Sequence, residues 1–438
     1  MKKWKLSHLI MLSMILGIVV GYACHQYAVD EAGAKAIAAD FGVVTTIFLH
    51  MVKMIIAPLV FATIVSGIAS MDSGKSIGRI GAKALGWFFV ASLVSLSIGL
   101  LFVNIAKPGV NLNMPLPPAD AATHLQTSAL NVKDFLTHIV PSSIAEAMAG
   151  NQIMQILVFS VFFGIALGKV PGEPGVFLKR SVDGLMETML RATNAVMGFA
   201  PLGIFAAIAG VVTVEGLGVI VTYGKLIGWF YLALFALWTV LYIAGRAVLG
   251  RRMPELVTKI REPMMIAFST ASSEAAFPVL TEKLTEFGVH RRLVGFVLPL
   301  GYSFNLDGSM VYQAFAAIFI AQAFGVHMPI GTQITMLLIL MISSKGMAAV
   351  PRGSLVVVAA ILPMFHLPES GLLLVMGIDQ LLDMGRTATN VLGNSIASAV
   401  VAKWERELSP AGTHEQGQAS QSAGAEPVPD YGNVHSSS

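Results

Sequence analysis

Asp379-Gln380-Leu381-Leu382-Asp383-Met384-Gly385-Arg386-Thr387-Ala388-Thr389-Asn390-Val391-Leu392-Gly393-Asn394 sets five strongly polar side chains into an apolar stretch that continues to Val401. Asp379, Asp383, Arg386, Asn390 and Asn394 are spaced by 4, 3, 4 and 4, so a helix through this stretch carries them on one face. An ionised side chain at the centre of a bilayer costs at least about 2.5 to 3.5 kcal/mol. That face must therefore turn towards protein, solute or ions, and lipid contact is ruled out for it.

The remainder of the chain makes a bilayer the solvent. Charged residues are 12% of the 438 positions and hydrophobic residues 55%, against roughly 25% charged in soluble domains. Apolar runs able to cross a hydrocarbon core of about 30 Å recur from Leu6 to about Val401. The spans read as Leu6 to Tyr27, Phe41 to Ser70, Leu85 to Ala106, Ile153 to Gly168, Val176 to Ala209 and Val219 to Val248, with a Pro-rich polar loop from Lys107 to about Ser142. The fold class expected is an all-α polytopic membrane protein. Residues 1–405 form one membrane domain with a binding core at about 253–403, and residues 406–438, rich in Ser, Gly, Ala and Gln, form a disordered tail.

Met1-Lys2-Lys3-Trp4-Lys5 opens like a secretory leader, yet the apolar run to Ala23 lacks a small-x-small cleavage site, so it is read as an uncleaved span. Lys75, Arg79, Lys83, Lys169, Lys179, Arg246, Arg251 and Arg252 fall in alternate connections, which puts them and the amino terminus in the cytoplasm. Lys403 and Arg406 place the carboxyl terminus there too. The net charge of +3 forms no nucleic-acid stripe, and the single Cys24 excludes an intrachain disulfide or cysteine metal cluster.

Between Met253 and Ala402 three apolar stretches are broken in their middles. The breaks are Ser269-Thr270-Ala271-Ser272-Ser273-Glu274, Ser303-Phe304-Asn305-Leu306-Asp307-Gly308-Ser309, and a third from Ser343 to Ser354. Irregular backbone at membrane depth survives only where protein or a water-filled cavity satisfies it. Paired interruptions of this kind mark a solute site near the midplane, as in secondary transport.

Each polar group has two readings. Asp383 and Arg386 either neutralise each other as helix glue or act separately, Arg386 clamping a carboxylate and Asp383 facing an ammonium, as an acidic amino acid would require. Asn305-Leu306-Asp307-Gly308 is either a hinge or an unwound segment whose carbonyls join the Asp307 carboxylate around a cation. The Ser272-Ser273 hydroxyls and nearby helix-terminal amides favour an anion, although serine contacts are common between membrane helices.

Together, Ser272-Ser273 through Pro278, Asn305-Leu306-Asp307-Gly308-Ser309, Gly346 to Pro351, Asp383-Met384-Gly385-Arg386-Thr387 and Asn390-Val391-Leu392-Gly393-Asn394 resemble the dicarboxylate/amino acid:cation symporter family, which includes the glutamate transporters. Lys53-Met54-Ile55-Ile56-Ala57-Pro58 extends the resemblance, which runs from about Trp4 to Glu405. It implies eight spans, two re-entrant hairpins, inverted repeats, and a homotrimer in which each protomer moves substrate by an elevator motion in a bacterial cytoplasmic membrane. It also implies that Arg386 binds the side-chain carboxylate and Asp383 the amino group. Asn390 and Ser273 then bind the α-carboxylate, with Ser272, Ser309 and Thr387 nearby and the Val350 backbone closing the second hairpin.

The resemblance has departures that bear on coupling. Sodium-coupled relatives carry an acid where this chain has Asn394, and Tyr, Thr and Ser where it has Phe88, Ala91 and Ser92. A bare cation needs such oxygens. Protons are thus favoured over sodium, with Glu274, Asp307 or Asp379 as carriers, and Asn305, Asp307, Asn390, Asn394 and Ser92 as the alternative sodium set. Glu274 resembles the C4-dicarboxylate branch and Asp383 the amino acid branch; Asp383 weighs more, because it would repel a dianion without an ammonium. Arg352 stands where relatives often carry a small residue, and either touches an anion or reaches water. The expected activity is import of glutamate or aspartate, with C4-dicarboxylates as the alternative substrate and no cofactor.

Other classes fit less well. There is no His-Glu-x-x-His, and His50 and His366 are isolated. Ala69-Ser70-Met71-Asp72-Ser73-Gly74-Lys75-Ser76 lacks the first glycine of a P-loop. A passive channel could line its pore with similar polar breaks but could not concentrate solute.

Overall fold

A computed structural model describes residues 6–69, 74–110, 140–216, 223–344, 353–376 and 378–409. Its regular elements among these residues are helices, and α1 (Leu6–Tyr27), α2 (Glu31–Ala69) and α3 (Gly74–Ala106) come first. Both α2 and α3 begin about ten residues before the expected spans. The amino-terminal extensions carry charge, and a helix satisfies its own backbone in water as well as in lipid, so hydropathy marks only the part inside the membrane. In α2 the extension is braced by Lys35 donating to Glu31 one turn away at 2.6 Å. Pro58 within α2 lacks the amide that would bond the carbonyl four residues back.

Then come α4 (Ile144–Ala149), α5 (Ile153–Gly168), α6 (Gly172–Met197) and α7 (Ala200–Glu215). The expected single span at Val176 to Ala209 is in fact α6 and α7, bent by 52° where Gly198 and Phe199 separate them and Pro201 opens the second helix. Lys179 accordingly lies inside α6 and not in a connection. Most of the Lys107 to Ser142 loop lies outside the described residues.

The second half comprises α8 (Gly224–Leu249), α9 (Met253–Thr270), α10 (Ser273–Glu286), α11 (Arg291–Phe304), α12 (Asp307–Ala323), α13 (Ile330–Ser343), α14 (Gly353–Ile361), α15 (Leu372–Met376) and α16 (Asp379–Glu405). Helix ends coincide with the first two expected breaks, at Ala271-Ser272 and Asn305-Leu306. The third break, with Lys345, Val350 and Arg352, lies outside the described residues.

Among the described residues four helical stretches, His8–Tyr27, Glu31–Ala69, Gly78–Ala106 and Gly224–Thr270, are long and apolar enough to cross a bilayer, and the bent α6–α7 pair adds a fifth. Their outward faces show large apolar side chains, such as Ile15, Val19, Phe89, Leu101, Phe235 and Ile243. This is the composition expected where lipid is the solvent. The protein is a multi-pass membrane protein.

The helices pack in two groups. In one, α1 and α2 pack on α7, and α2 also packs on α5 and α6. In the other, α16 is central: α8, α9, α10, α11 and α12 pack around it, while α3 lies on α12 and α8. The groups meet chiefly where α10 and α11 cross α2. From Met384 to Ala402 every residue of α16 except Arg386 is buried, so its polar stripe is enclosed.

Candidate functional site

The polar face of α16 is organised around Arg386. Its Nε and Nη2 donate to Asp383 Oδ1 at 2.9 and 2.5 Å, and the Thr387 hydroxyl donates to the same oxygen at 2.7 Å. Arg386 and Asp383 keep only 12% and 13% side-chain exposure, so the pair is largely withdrawn from solvent. Beneath the guanidinium, its central carbon 5.3 Å from the ring centre, lies Tyr312 of α12, a cation–π contact that holds the plane of the fork. The Tyr312 hydroxyl donates to Asp379 Oδ1 at 2.5 Å. Two carboxylates one turn apart thus flank one guanidinium.

This arrangement can exchange partners. A solute carboxylate can take the place of Asp383 on the guanidinium, and a solute ammonium can take the place of the guanidinium on Asp383. Arg386, Asp383 and the two solute groups then each keep an opposite partner, which avoids the penalty of a lone buried charge.

The α11–α12 break is held against this face. Asn390 Oδ1 accepts from the amides of Gly308 and Ser309 at 2.8 and 3.3 Å, and its Nδ2 donates to Ser309 Oγ at 3.3 Å. The side chain therefore satisfies the orphan amides at the start of α12. A Cβ on Gly308 would lie 2.1 Å from the Arg386 carbonyl oxygen, so the two backbones can touch only with glycine there. Asn390 and Ser309 do converge as the sequence predicts, but the oxygen of Asn390 is occupied in this arrangement and its amide N–H groups are what it can offer a ligand.

Asp307 opens α12 fully buried. Ser95 Oγ of α3 donates to its Oδ1 at 3.4 Å and Asn305 Nδ2 to its Oδ2 at 3.1 Å. A Cβ on Gly393 would lie 1.9 Å from Oδ2, so the carboxylate is packed directly against the α16 backbone. Asn305 Oδ1 and Asn394 Oδ1 are buried with no hydrogen-bond partner among the described residues. Ser92, fully buried, lies one turn before Ser95. An unpartnered amide oxygen at such depth costs more than 1 kcal/mol, and oxygens of this kind near a carboxylate are the donors that a hard cation takes. Among the described residues no three His, Cys, Asp or Glu side chains cluster as a metal site.

The α9–α10 turn is built by capping. Ala271 ends α9 in the left-handed region (φ 49°), and Ser272 Oγ accepts from the Ala275 amide at 3.2 Å as the cap of α10. The Ser272 hydroxyl oxygen thus caps α10, and its O–H can still donate. The Ser273 carbonyl accepts from the Tyr302 hydroxyl at 2.8 Å. Glu274 turns to α2, where Lys53 Nζ lies 3.9 Å from its Oε2. Val350 falls outside the described residues.

Three participants escaped sequence reasoning. Tyr312 reads as core in an apolar helix, Ser95 repeats Ser92 at a three-residue step, and Lys53 is a lone cation inside a span. The last two carried a signal: polar residues at helical spacing, and charge at membrane depth.

A multi-pass helical protein with a buried carboxylate–guanidinium pair next to an oxygen-lined helix break is built as a secondary carrier of charged solutes. The comparisons with known proteins agree. Residues 6–404 match the sodium:dicarboxylate symporter family, and the chain belongs to that family. It is 38% identical over 411 residues to the proton/sodium-glutamate symport protein of Geobacillus stearothermophilus, covering 92% of this chain and 96% of that one. To the protein of the same name from Bacillus caldotenax it is 38% identical over 412 residues, with the same coverage.

Proposed function

We propose that the protein is a carrier, not an enzyme, that imports glutamate or aspartate in symport with protons or sodium. The observation that carries this reading is the Arg386–Asp383 pair, whose separation yields one cationic and one anionic subsite. An acidic amino acid fills both, whereas a C4-dicarboxylate leaves Asp383 facing an anion. Arg386 holds the side-chain carboxylate and Asp383, with Thr387, the ammonium. The α-carboxylate lies towards Asn390, Ser309 and Ser273. Asp307, with Asn305, Asn394 and Ser92, takes the coupling cation, and Asp379 under Tyr312 is a second proton carrier. The bacterial relatives named as proton/sodium-glutamate symport proteins support both the substrate class and the choice of ion.

The packing of α16 and its neighbours as one group against α1, α2 and α5 to α7 supports alternating access by movement of the site-bearing group, an elevator motion. The resemblance supports a homotrimer in a lipid bilayer, and the basic ends of the spans support a bacterial cytoplasmic membrane with both termini inside.

Labelled aspartate uptake into proteoliposomes, with proton and sodium gradients imposed separately, tests this reading. Accumulation against the solute gradient, blocked by glutamate and little affected by succinate, is the expected result. Preferential block by succinate would move the substrate to C4-dicarboxylates, equilibration without accumulation would make the protein a channel, and a gradient of one cation that alone suffices would identify the coupling ion.

A further inference from the structure

Beyond Asn394, the last residue of the polar face, α16 runs on to Glu405 and ends in a segment that the site does not use. Glu405 has 1% side-chain exposure and is gripped by two cations of α3: Arg79 donates to its Oε2 at 3.0 and 2.7 Å through Nε and Nη2, and Lys83 to its Oε1 at 2.6 Å. Trp404 stacks edge-on against Trp87 of the same helix, ring centres 5.9 Å apart.

The chain then lies along the α10–α11 connection. The His290 amide donates to the Glu407 carbonyl at 3.2 Å, the Ser409 amide to the Gly288 carbonyl at 2.9 Å, and Val289 and Leu408 form an antiparallel bridge. Arg252, at the start of α9, donates to the Ser409 carbonyl at 2.6 Å and to that of Phe287, with its guanidinium 4.4 Å from the Phe287 ring centre. Glu407 accepts a two-point bond from Arg292 of α11 at 2.8 and 2.7 Å. The backbone of Arg292 is in turn where α11 meets α2: a Cβ on Gly67 would lie 2.8 Å from the Arg292 Cα.

The described chain therefore continues to Ser409, within the segment 406–438 that the sequence analysis expects to be a tail. We infer that residues 405–409 form a clamp that belongs to the transport machinery. It ties the helix carrying Asp383 and Arg386 to α3, to the base of the α9–α10 pair, and to the crossing of α11 over α2, so that the site-bearing helices keep their register. Glu405, Glu407 and Arg292 are positioning residues; none touches the site. Two-point, charge-assisted bonds suit this role because each fixes the orientation of both partners, and the Arg292–Glu407 pair is also partly withdrawn from solvent.

The inference uses the proposed transport only as one readout. In proteoliposomes, Glu407→Arg and Arg292→Glu are each expected to lower maximal uptake about tenfold with KM within about twofold, and the double reversal to recover at least about a third of it, since contacting residues are coupled. A chain ending at Ser409 is expected to transport normally and one ending at Trp404 to behave like the single reversals. Normal uptake by the single reversals or by the chain ending at Trp404, or a folded double reversal no better than its parents, overturns the clamp. If the wild type accumulates no solute, the functional reading fails instead, and thermal unfolding of the wild type and the same three charge variants decides the clamp by whether the pair is coupled. For variants that do not fold, Val289→Cys with Leu408→Cys in a Cys24→Ser background supplies the second test. Oxidation that leaves uptake within about twofold supports a clamp that stays closed through the cycle, and loss of uptake reversed by reductant overturns it.

Discussion

Arg386→Ala is expected to abolish concentrative glutamate uptake, a loss of about a hundredfold to a thousandfold, while the protein still inserts and folds. The basis is the arrangement of like charges that the substitution uncovers. Arg386 stands between Asp383, to which it donates two bonds, and Asp379, which is tied to it through Tyr312. Without the guanidinium, an incoming carboxylate meets Asp383 and Asp379 without the cation that stood between them. Breaking a buried pair from one side costs about 3 to 5 kcal/mol, and each 1.4 kcal/mol is tenfold in affinity. Arg386→Lys restores the charge but not the planar fork, and is expected to recover only part of the loss. The measurement is uptake per folded protein, together with thermal stabilisation of the purified variant by glutamate. If the pair served only as helix glue, the variant would lose thermal stability and assembly while the molecules that remain folded would bind glutamate normally. That outcome would remove the clamp from Arg386.

The parts of this architecture that were legible in the sequence are those with a local rule. The polar face of α16 follows from helical spacing alone, because five polar residues at steps of three and four admit one orientation in a bilayer. The Asn305–Gly308 break follows from turn-forming residues inside an apolar run, and α12 indeed starts at Asp307. What stayed hidden depends on long-range packing. Nothing local to Tyr312 announces that its hydroxyl meets Asp379, since a tyrosine in an apolar helix reads as core until its partner is placed. The Asn390 amide looks like a ligand in the sequence, and only the approach of Gly308 to the Arg386 backbone shows that it caps a helix as well. Glu274 pulled the sequence reading towards a dicarboxylate site, whereas in the structure its carboxylate lies 3.9 Å from Lys53 on the opposite helix group. Composition alone reads Glu407 and Ser409 as tail because they are polar, and what holds them is supplied by α9 and α11.

Asp307→Asn is expected to uncouple transport from the cation gradient, with gradient-driven accumulation falling about a thousandfold. Ser95 and Asn305, which donate to this carboxylate, are themselves neutral, and its charge is what attracts a cation into the break. Two unit charges about 4 Å apart at an effective dielectric of about 20 interact by about 4 kcal/mol, which corresponds to about three powers of ten in affinity. Asparagine is nearly isosteric, which matters because Gly393 leaves no room beyond the Asp307 Oδ2 position. The shape of the break is kept and only the charge is removed. The measurement is aspartate accumulation in proteoliposomes as a function of the imposed proton or sodium gradient, alongside thermal stability in detergent. Residual uptake that no longer responds to either gradient supports a coupling role for Asp307. If instead the hydrogen bonds from Ser95 and Asn305 make Asp307 a structural brace of the α11–α12 break, the variant loses thermal stability while its remaining uptake keeps the gradient dependence of the wild type. In that case the cation would have to be carried elsewhere, and Asp379 beneath Tyr312 is the buried carboxylate on which the same substitution would then be made.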